Sequence, residues 1–269
     1  MDSATEAPER VCIICLDSDP PPIQSGCACR SDTGLAHLGC LIEKAVAQQA
    51  HRGYSVWSEC QTCGQSFTGT MLTGLGEAWW SRMCDGAEES EERLCAALWL
   101  AQCRRSDGRY AEAERINREV LGTRWRVLGE EHPDTLSSAN NLATSLSSQG
   151  KYADAEQIQR EVLCVVRRVL GEEHPSTLLS AGNLASSLSS QGKYADAERI
   201  QREVLGVRRR VLGEEHPDTL TIASNLADSL LGQGKHADAE RIEREVLGVS
   251  RRVLGEEHPD TLEIGRAHV

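Results

Sequence analysis

The sequence predicts a chain in two parts, a small metal-stapled finger followed by an all-α solenoid. Three observations carry that expectation. Seven of the 11 cysteines fall between Cys12 and Cys63, in closely spaced pairs. The string LGEEHP begins at Leu128, Leu170, Leu212 and Leu254, each 42 residues after the last. Aromatic residues make up only 4% of the chain, with a single Phe, and the apolar positions are mostly Ala, Leu and Val. Such a composition cannot fill a large aromatic core but suits stacked helices.

With 269 residues there is room for one small module and one larger one. The net charge of −12 repels phosphate backbones, and no Lys/Arg stripe interrupts that field, so nucleic acid is not an expected partner. MDSATEAPER lacks the basic and apolar regions of a signal peptide. No apolar run approaches the ~20 residues needed to cross a bilayer, so no membrane partner is expected. The expected location is the cytosol, with the nucleus as the alternative. Disulfides are rarely kept there, and clustered cysteines then point to metal.

Residues 1–11 read as a flexible N-terminus, and the finger as 12–68. Its ligand pairs are Cys12-x2-Cys15, Cys27-x-Cys29, His37-x2-Cys40 and Cys60-x2-Cys63. Each pair can leave one tight turn, or a turn and the adjoining helix, toward a single ion. Thiolate and imidazole donors in closed tetrahedra suit zinc. Eight ligands complete two zinc sites with no open position, so these ions are expected to be structural. A segment this short, with so few large apolar residues, could hardly fold alone, and ligation must supply most of its stability.

Over Cys12 to about Thr68 these spacings resemble the RING-CH family, the RING variant with Cys fourth and His fifth among its ligands. The resemblance implies a cross-brace, in which Cys12, Cys15, His37 and Cys40 hold one ion and Cys27, Cys29, Cys60 and Cys63 hold the other. It also implies ubiquitin ligase activity, with a ubiquitin-conjugating enzyme as partner and Ile14, just before the second ligand, in contact with it. The other reading of Ile14 is packing within the finger. A PHD finger, which reads histone tails, shares the ligand order. It typically has more residues between the third and fourth ligands than separate Cys27 from Cys29, and fewer before His37. A scaffold in which the finger only mediates assembly is the further alternative.

Residues 69–90 read as a connector. Met71, Leu72, Leu75, Ala78, Trp79 and Met83 recur at helical spacing, which predicts a short helix packing its Trp face inward. DGAEESEER reads as a solvated hinge leading into the acidic first turn of the next helix.

Residues 91–259 read as four helix-pair repeats, the first degenerate over Arg93–Pro133. Pro133, Pro175, Pro217 and Pro259 end each preceding segment, and Asp134, Ser176, Asp218 and Asp260 are expected N-caps. Gly150, Gly192 and Gly234 suit a left-handed helix end. Glu156–Arg160, Glu198–Arg202 and Glu240–Arg244 are spaced as i,i+4 pairs on a solvated face. Ala155, Ala197 and Ala239 are small where paired helices should cross. The segments NLA, QGKYADAE and REVL resemble the long tetratricopeptide repeats of kinesin light chains. That family implies a concave groove on the first helices that holds a peptide or protein substrate. Asn141, Asn183 and Asn225 match its groove asparagines, with helix bracing as the alternative role. Ser137, Thr144, Ser147, Ser186 and Ser189 would make the groove polar and mostly uncharged.

His132, His174, His216 and His258 occur once per repeat, too far apart for one ion, and read as structural punctuation before Pro. No Ser/His/Asp arrangement or phosphate-cradling loop stands out. Residues 260–269 read as a truncated fifth repeat. The string EIGRAHV matches one translation of a common sequencing-library adapter, so Ile264–Val269 are expected to be a cloning artefact.

Overall fold

The computed structural model describes residues 10–24, 26, 27, 29 and 34–254. The expectations for residues 1–9 and for 255–269, including His258, Pro259, Asp260 and the terminal EIGRAHV, lie outside the described residues. Two compact units divide the chain between Val127 and Leu128.

In the first unit, β1 (Ile23–Gln24) pairs antiparallel with β2 (Leu35–Ala36), in the register Ile23–Ala36 and Gln24–Leu35. Helix α1 (Leu38–Arg52), a 3₁₀ turn (Tyr54–Trp57) and an isolated bridge between Glu59 and Ser66 follow. Helices α2 (Gly69–Met83), α3 (Glu91–Ser106) and α4 (Tyr110–Leu128) complete the series. The Trp face of the connector does turn inward. Trp79 is buried and stacks on Trp57 with the rings almost parallel and 5.8 Å apart, while the Trp57 indole N–H donates to Gln49 Oε1 at 2.7 Å. The same apolar cluster runs from Cys12 and Phe67 through Met71 and Leu75 to Ala96 and Cys103. Finger, connector and α3 therefore share one core. Ser90, within the segment read as a hinge, caps α3 by accepting the Arg93 N–H.

Gly76 lets α2 and α3 approach closely, since a Cβ there would lie 2.5 Å from Cys103 Sγ. Helix α4 packs on the other side of α3, with Ala113, Ile116 and Val120 meeting Leu94, Ala97, Leu100 and Ala101. This explains why α3 departs from the repeat. Shifted by 42 residues, Ala96, Trp99 and Cys103 correspond to Ser138, Asn141 and Ser145. The polar positions of the later copies became apolar where α2 covers them.

In the second unit, α5 (Pro133–Ser147) and α6 (Tyr152–Leu170), α7 (Pro175–Ser190) and α8 (Tyr194–Leu212), and α9 (Pro217–Gly232) and α10 (His236–Leu254) form three helix pairs. Leucine and alanine at i, i+3, i+4 spacing give each first helix its buried stripe, as in Leu136, Ala139, Leu142, Ala143 and Leu146. Ala155, Ala197 and Ala239 are fully buried. Gly150 takes φ 76°, and the Lys151 N–H returns to the Leu146 carbonyl at 3.0 Å, a left-handed end that a Cβ would oppose.

Three expectations need correction. The N-caps are His132, His174 and His216, not the residues after proline. Each imidazole Nδ1 accepts the backbone N–H two residues on (Asp134, Ser176, Asp218; 3.1–3.2 Å), and proline takes the first helical position, where no N–H is needed. Nor do Glu156 and Glu198 lie on a solvated face. Each accepts from the next copy, Glu156 from Gln191 at 2.8 Å and Lys193 at 2.7 Å, Glu198 from Gln233 at 2.6 Å and Lys235 at 2.8 Å. Finally, Ser147 and Ser189 brace neighbouring first helices, through Ser187 at 3.1 Å and Ser229 at 2.8 Å. Arg168–Glu131, Arg210–Glu173 and Arg252–Glu215 repeat a further tie, second helix to preceding loop.

Candidate metal centre

The two knuckles of the finger are built alike. Cys12 N–H donates to Asp17 O and Leu16 N–H to Cys12 O, both at 2.9 Å; Cys60 N–H donates to Gln65 O and Gly64 N–H to Cys60 O, both at 2.8 Å. Each loop turns its two cysteine sulfurs the same way and closes on a left-handed residue, Gly64 at φ 70° and Leu16 at φ 63°. The β1–β2 pairing carries the chain through Cys27 and Cys29 and back to His37, which precedes α1. The first turn of that helix then presents Cys40.

Two groups of four donors result. Cys12, Cys15, His37 and Cys40 form one, and Cys27, Cys29, Cys60 and Cys63 the other, with all donor atoms of a group within 4.8 Å of one another. Each group could hold a metal ion. The pairs alternate between groups along the chain, so neither group closes without the segment that serves the other. Within the first, His37 Nδ1 lies 3.3 Å from Cys15 Sγ and 3.7 Å from Cys40 Sγ. Its Nε2 bonds the Pro20 carbonyl at 2.5 Å, which puts the proton on Nε2 and leaves the Nδ1 lone pair facing the sulfurs.

Electrostatics fit the same chemistry. Burial works to raise the Cys12 thiol, but the backbone N–H groups of Cys15, His37 and Ile14 outweigh it and bring the pKa to about 6. Burial and neighbouring sulfurs push Cys40 up to about 12. In the second group the Gln65 N–H lowers Cys63 to about 6, while burial and adjacent thiols raise Cys29 to about 12. Clustered sulfurs cannot all ionise beside one another. A divalent cation removes that conflict.

Around the finger, Ile14 is half-buried and packs on its core. Of the exposed apolar side chains in this region, Leu16 at 74% and Ile13 at 41% are the most open, ahead of Tyr54, Ile23 and Val46. Ile13 borders a shallow groove that continues over Leu41, Lys44 and Gln48 of α1 to Gln61 and Thr62 in the last knuckle. Leu16 was missed in the sequence, although the corresponding Gly64 was a signal. A leucine in a left-handed position costs of order 1–3 kcal/mol unless something else retains it.

In the second unit Asn141 is exposed and Asn183 and Asn225 are half-buried, at matching positions of α5, α7 and α9. Their neighbour Asn140 donates to Ser180 Oγ at 3.0 Å, a tie between α5 and α7. Thr144 and Ser186 return their hydroxyls to their own helices, on Asn140 O and Gly182 O. Among the described residues no helix is long and apolar enough to cross a membrane.

Comparison with known proteins bears on the helical part. Tetratricopeptide-repeat family models match residues 105–134, 135–176 and 177–252, together more than half of the chain. No curated protein sequence matches. Among solved structures, a kinesin light chain of nearly identical TPR-like repeats from Podosopora anserina is 22% identical, covering 80% of this chain and 95% of that one with a TM-score of 0.57. A single-residue variant of that protein reaches a TM-score of 0.59, also at 22% identity, over 81% and 96% of the two chains. BtubC (BKLC) from P. vanneervenii is 17% identical, covering 82% and 91%, with a TM-score of 0.57. These likenesses establish a shared repeat fold.

Proposed function

Given that the chain is a tetratricopeptide-repeat protein, and that such repeats bind other proteins, we propose that it is a RING-type ubiquitin ligase of the cytosol or nucleus whose repeats recruit the substrate. The observation that carries this reading is the alternation of the two donor groups along the chain, the cross-brace that RING-CH fingers use. In this reading both groups hold zinc, which fixes the two knuckles and α1 as one stiff surface. The ubiquitin-conjugating enzyme docks on the groove that Ile13 borders and on the exposed Leu16 of the first knuckle, with Ile14 packed beneath in the finger's core. The unfavourable backbone of Leu16 supports that assignment, since an exposed leucine gains nothing there without a partner.

The chemistry is catalysis by positioning. A substrate lysine amine attacks the ubiquitin thioester carbonyl, an isopeptide bond forms, and the conjugating enzyme's cysteine leaves as thiolate. The finger restrains the thioester and the repeats bring the lysine near, which replaces a bimolecular encounter with an effectively intramolecular one. Asn141, Asn183 and Asn225 offer amide donors and acceptors to the backbone of the recruited segment.

The test is autoubiquitination by the zinc-loaded chain across a panel of conjugating enzymes. Ile13→Ala with Leu16→Gly should abolish chain formation while two zinc ions per chain remain. Inactivity of the wild type across the panel, with both ions present by metal analysis, would leave a non-catalytic scaffold. That second reading draws on Gln65, a neutral residue where RING ligases often carry a cation to restrain ubiquitin.

A further inference from the structure

Helices α5, α7 and α9 contain three aspartates, Asp134, Asp218 and Asp228, and no lysine or arginine. From residue 128 to 254 every arginine lies on α6, α8 or α10, and Lys151, Lys193 and Lys235 lie in the turns between paired helices. The first-helix layer is therefore negative throughout. Asp134 and Asp218 occupy first turns, where the helix dipole favours a negative charge. Asp228 has no such support. Among the described residues no hydrogen bond or ion pair reaches its exposed carboxylate. Desolvation alone pushes its pKa up, with no nearby cation to offset it.

The copies are nearly identical, so the places where they differ are informative. Each first helix keeps its asparagine (Asn141, Asn183, Asn225), but the flanking positions on the same face do not repeat. Four residues before it stand Ser137, Leu179 and Thr221; three residues after it stand Thr144, Ser186 and Asp228. Leu179 is 56% exposed, more than any other large apolar side chain described between 128 and 254. Helices α7 and α9 are neighbours, tied through Ser189 and Ser229 at 2.8 Å, so Leu179 and Asp228 belong to one surface. Seven residues of helix advance about 10 Å and packed helices lie about 8–10 Å apart, which separates the two positions by roughly 14 Å, the span of about four extended residues. A single carboxylate is too few ligands for a metal ion, and an anionic or neutral segment would leave Asp228 uncompensated.

We propose that this face binds an extended, basic segment of a partner protein, with a lysine or arginine on Asp228 and an aliphatic side chain on Leu179. This assignment rests on the reading that the first helices recruit the partner, and it is independent of ligase chemistry in the finger.

The probe is a displayed library of random dodecapeptides, panned against the full zinc-loaded chain. Selected peptides should be enriched in Lys or Arg with Leu, Ile or Val a few positions away, and panning on Asp228→Ser should lose the basic enrichment. The tightest selected peptide, labelled with fluorescein, is then titrated by anisotropy. Asp228→Ser should weaken it about fivefold, as the loss of one exposed charge pair allows. Leu179→Ser should weaken it about tenfold through lost apolar burial. Both variants install a side chain that another copy already carries there, Ser186 or Ser137, so the fold accommodates them. Glu161→Gln removes the same charge from α6 and should leave binding within about twofold. An equal loss in Glu161→Gln, or enrichment of Asp and Glu in the selected pool, would overturn the proposal. Asn183→Ala separates two failures. If it weakens the peptide while Asp228→Ser does not, the recruiting face stands and its basic preference is overturned. If none of the first-helix variants weakens it, or panning yields no binder, both fall.

Discussion

In the finger, eight donor atoms gather a segment in which the loops outweigh the core, and each knuckle contributes two of them. In α5–α10 cohesion comes instead from many small ties, a buried Leu/Ala stripe on every helix and polar contacts that recur in successive copies. Loss of one tie in the first design removes a site whose segments also build the other. Loss of one tie in the second leaves its counterparts in place. Cooperativity is thus concentrated at one end of the molecule and distributed at the other.

Metal removal should separate the regions most sharply. Structural zinc contributes on the order of 10–16 kcal/mol in finger peptides. A chelator, or Cys60→Ser, is therefore expected to abolish hydrogen-exchange protection in α1 and both knuckles while α7 and α8 keep theirs. Loss of protection in α7 and α8 as well would break the comparison.

The next effect belongs to the array. Leu184 is 2% exposed, and Leu184→Ala should lower stability by about 2–5 kcal/mol in denaturant melts followed by helicity. A cost near zero would show that the copies tolerate cavities better than a packed interior should.

At the α2–α3 crossing, Gly76→Ala forces a methyl against Cys103 Sγ and should cost about 1–3 kcal/mol. Adding Cys103→Ala removes the opposing sulfur and should recover much of that. Purely additive losses in the double variant, measured in the same melts, would rule out the close approach as the cause.

The smallest effect is electrostatic. Lys193 first, helped by Gln191 and Arg160, holds the Glu156 carboxyl down to about 2. A carboxylate depressed in the fold stabilises above its unfolded value of about 4.3, and the contribution fades as pH falls from there toward about 2. Glu156→Gln should therefore cost under about 1 kcal/mol at pH 7, after solvent screening, and almost nothing near pH 2. A difference that grows on acidification would contradict the assignment.

Much of this was legible in the sequence because it is local. The donor pairs, the helix pairs, the left-handed glycines and the small crossing alanines are each written within a few residues. The grouping of the eight donors was an expectation from the resemblance to RING-CH fingers, and the structure gathers the same two sets of four. What was misread depends on surfaces that meet across tens of residues. The i,i+4 rule described the Glu156–Arg160 spacing but could not show that Gln191 and Lys193 arrive to bury the glutamate. The capping residue was set one step beyond the proline because Asp is the better-known cap. An imidazole nitrogen does the same work from the other side of Pro133. Helix α3 looked degenerate for want of its covering neighbour, and Leu16 looked ordinary until its backbone angle was seen.

The ties from Arg210 to Glu173 and from Arg252 to Glu215 always join one module to the module before it, through residues that every copy supplies. Excising or duplicating a 42-residue length anywhere among these copies restores the same junction at the splice. Recombination between near-identical stretches of coding sequence can therefore lengthen or shorten this arm in whole steps, and selection can adjust its reach without devising a new interface.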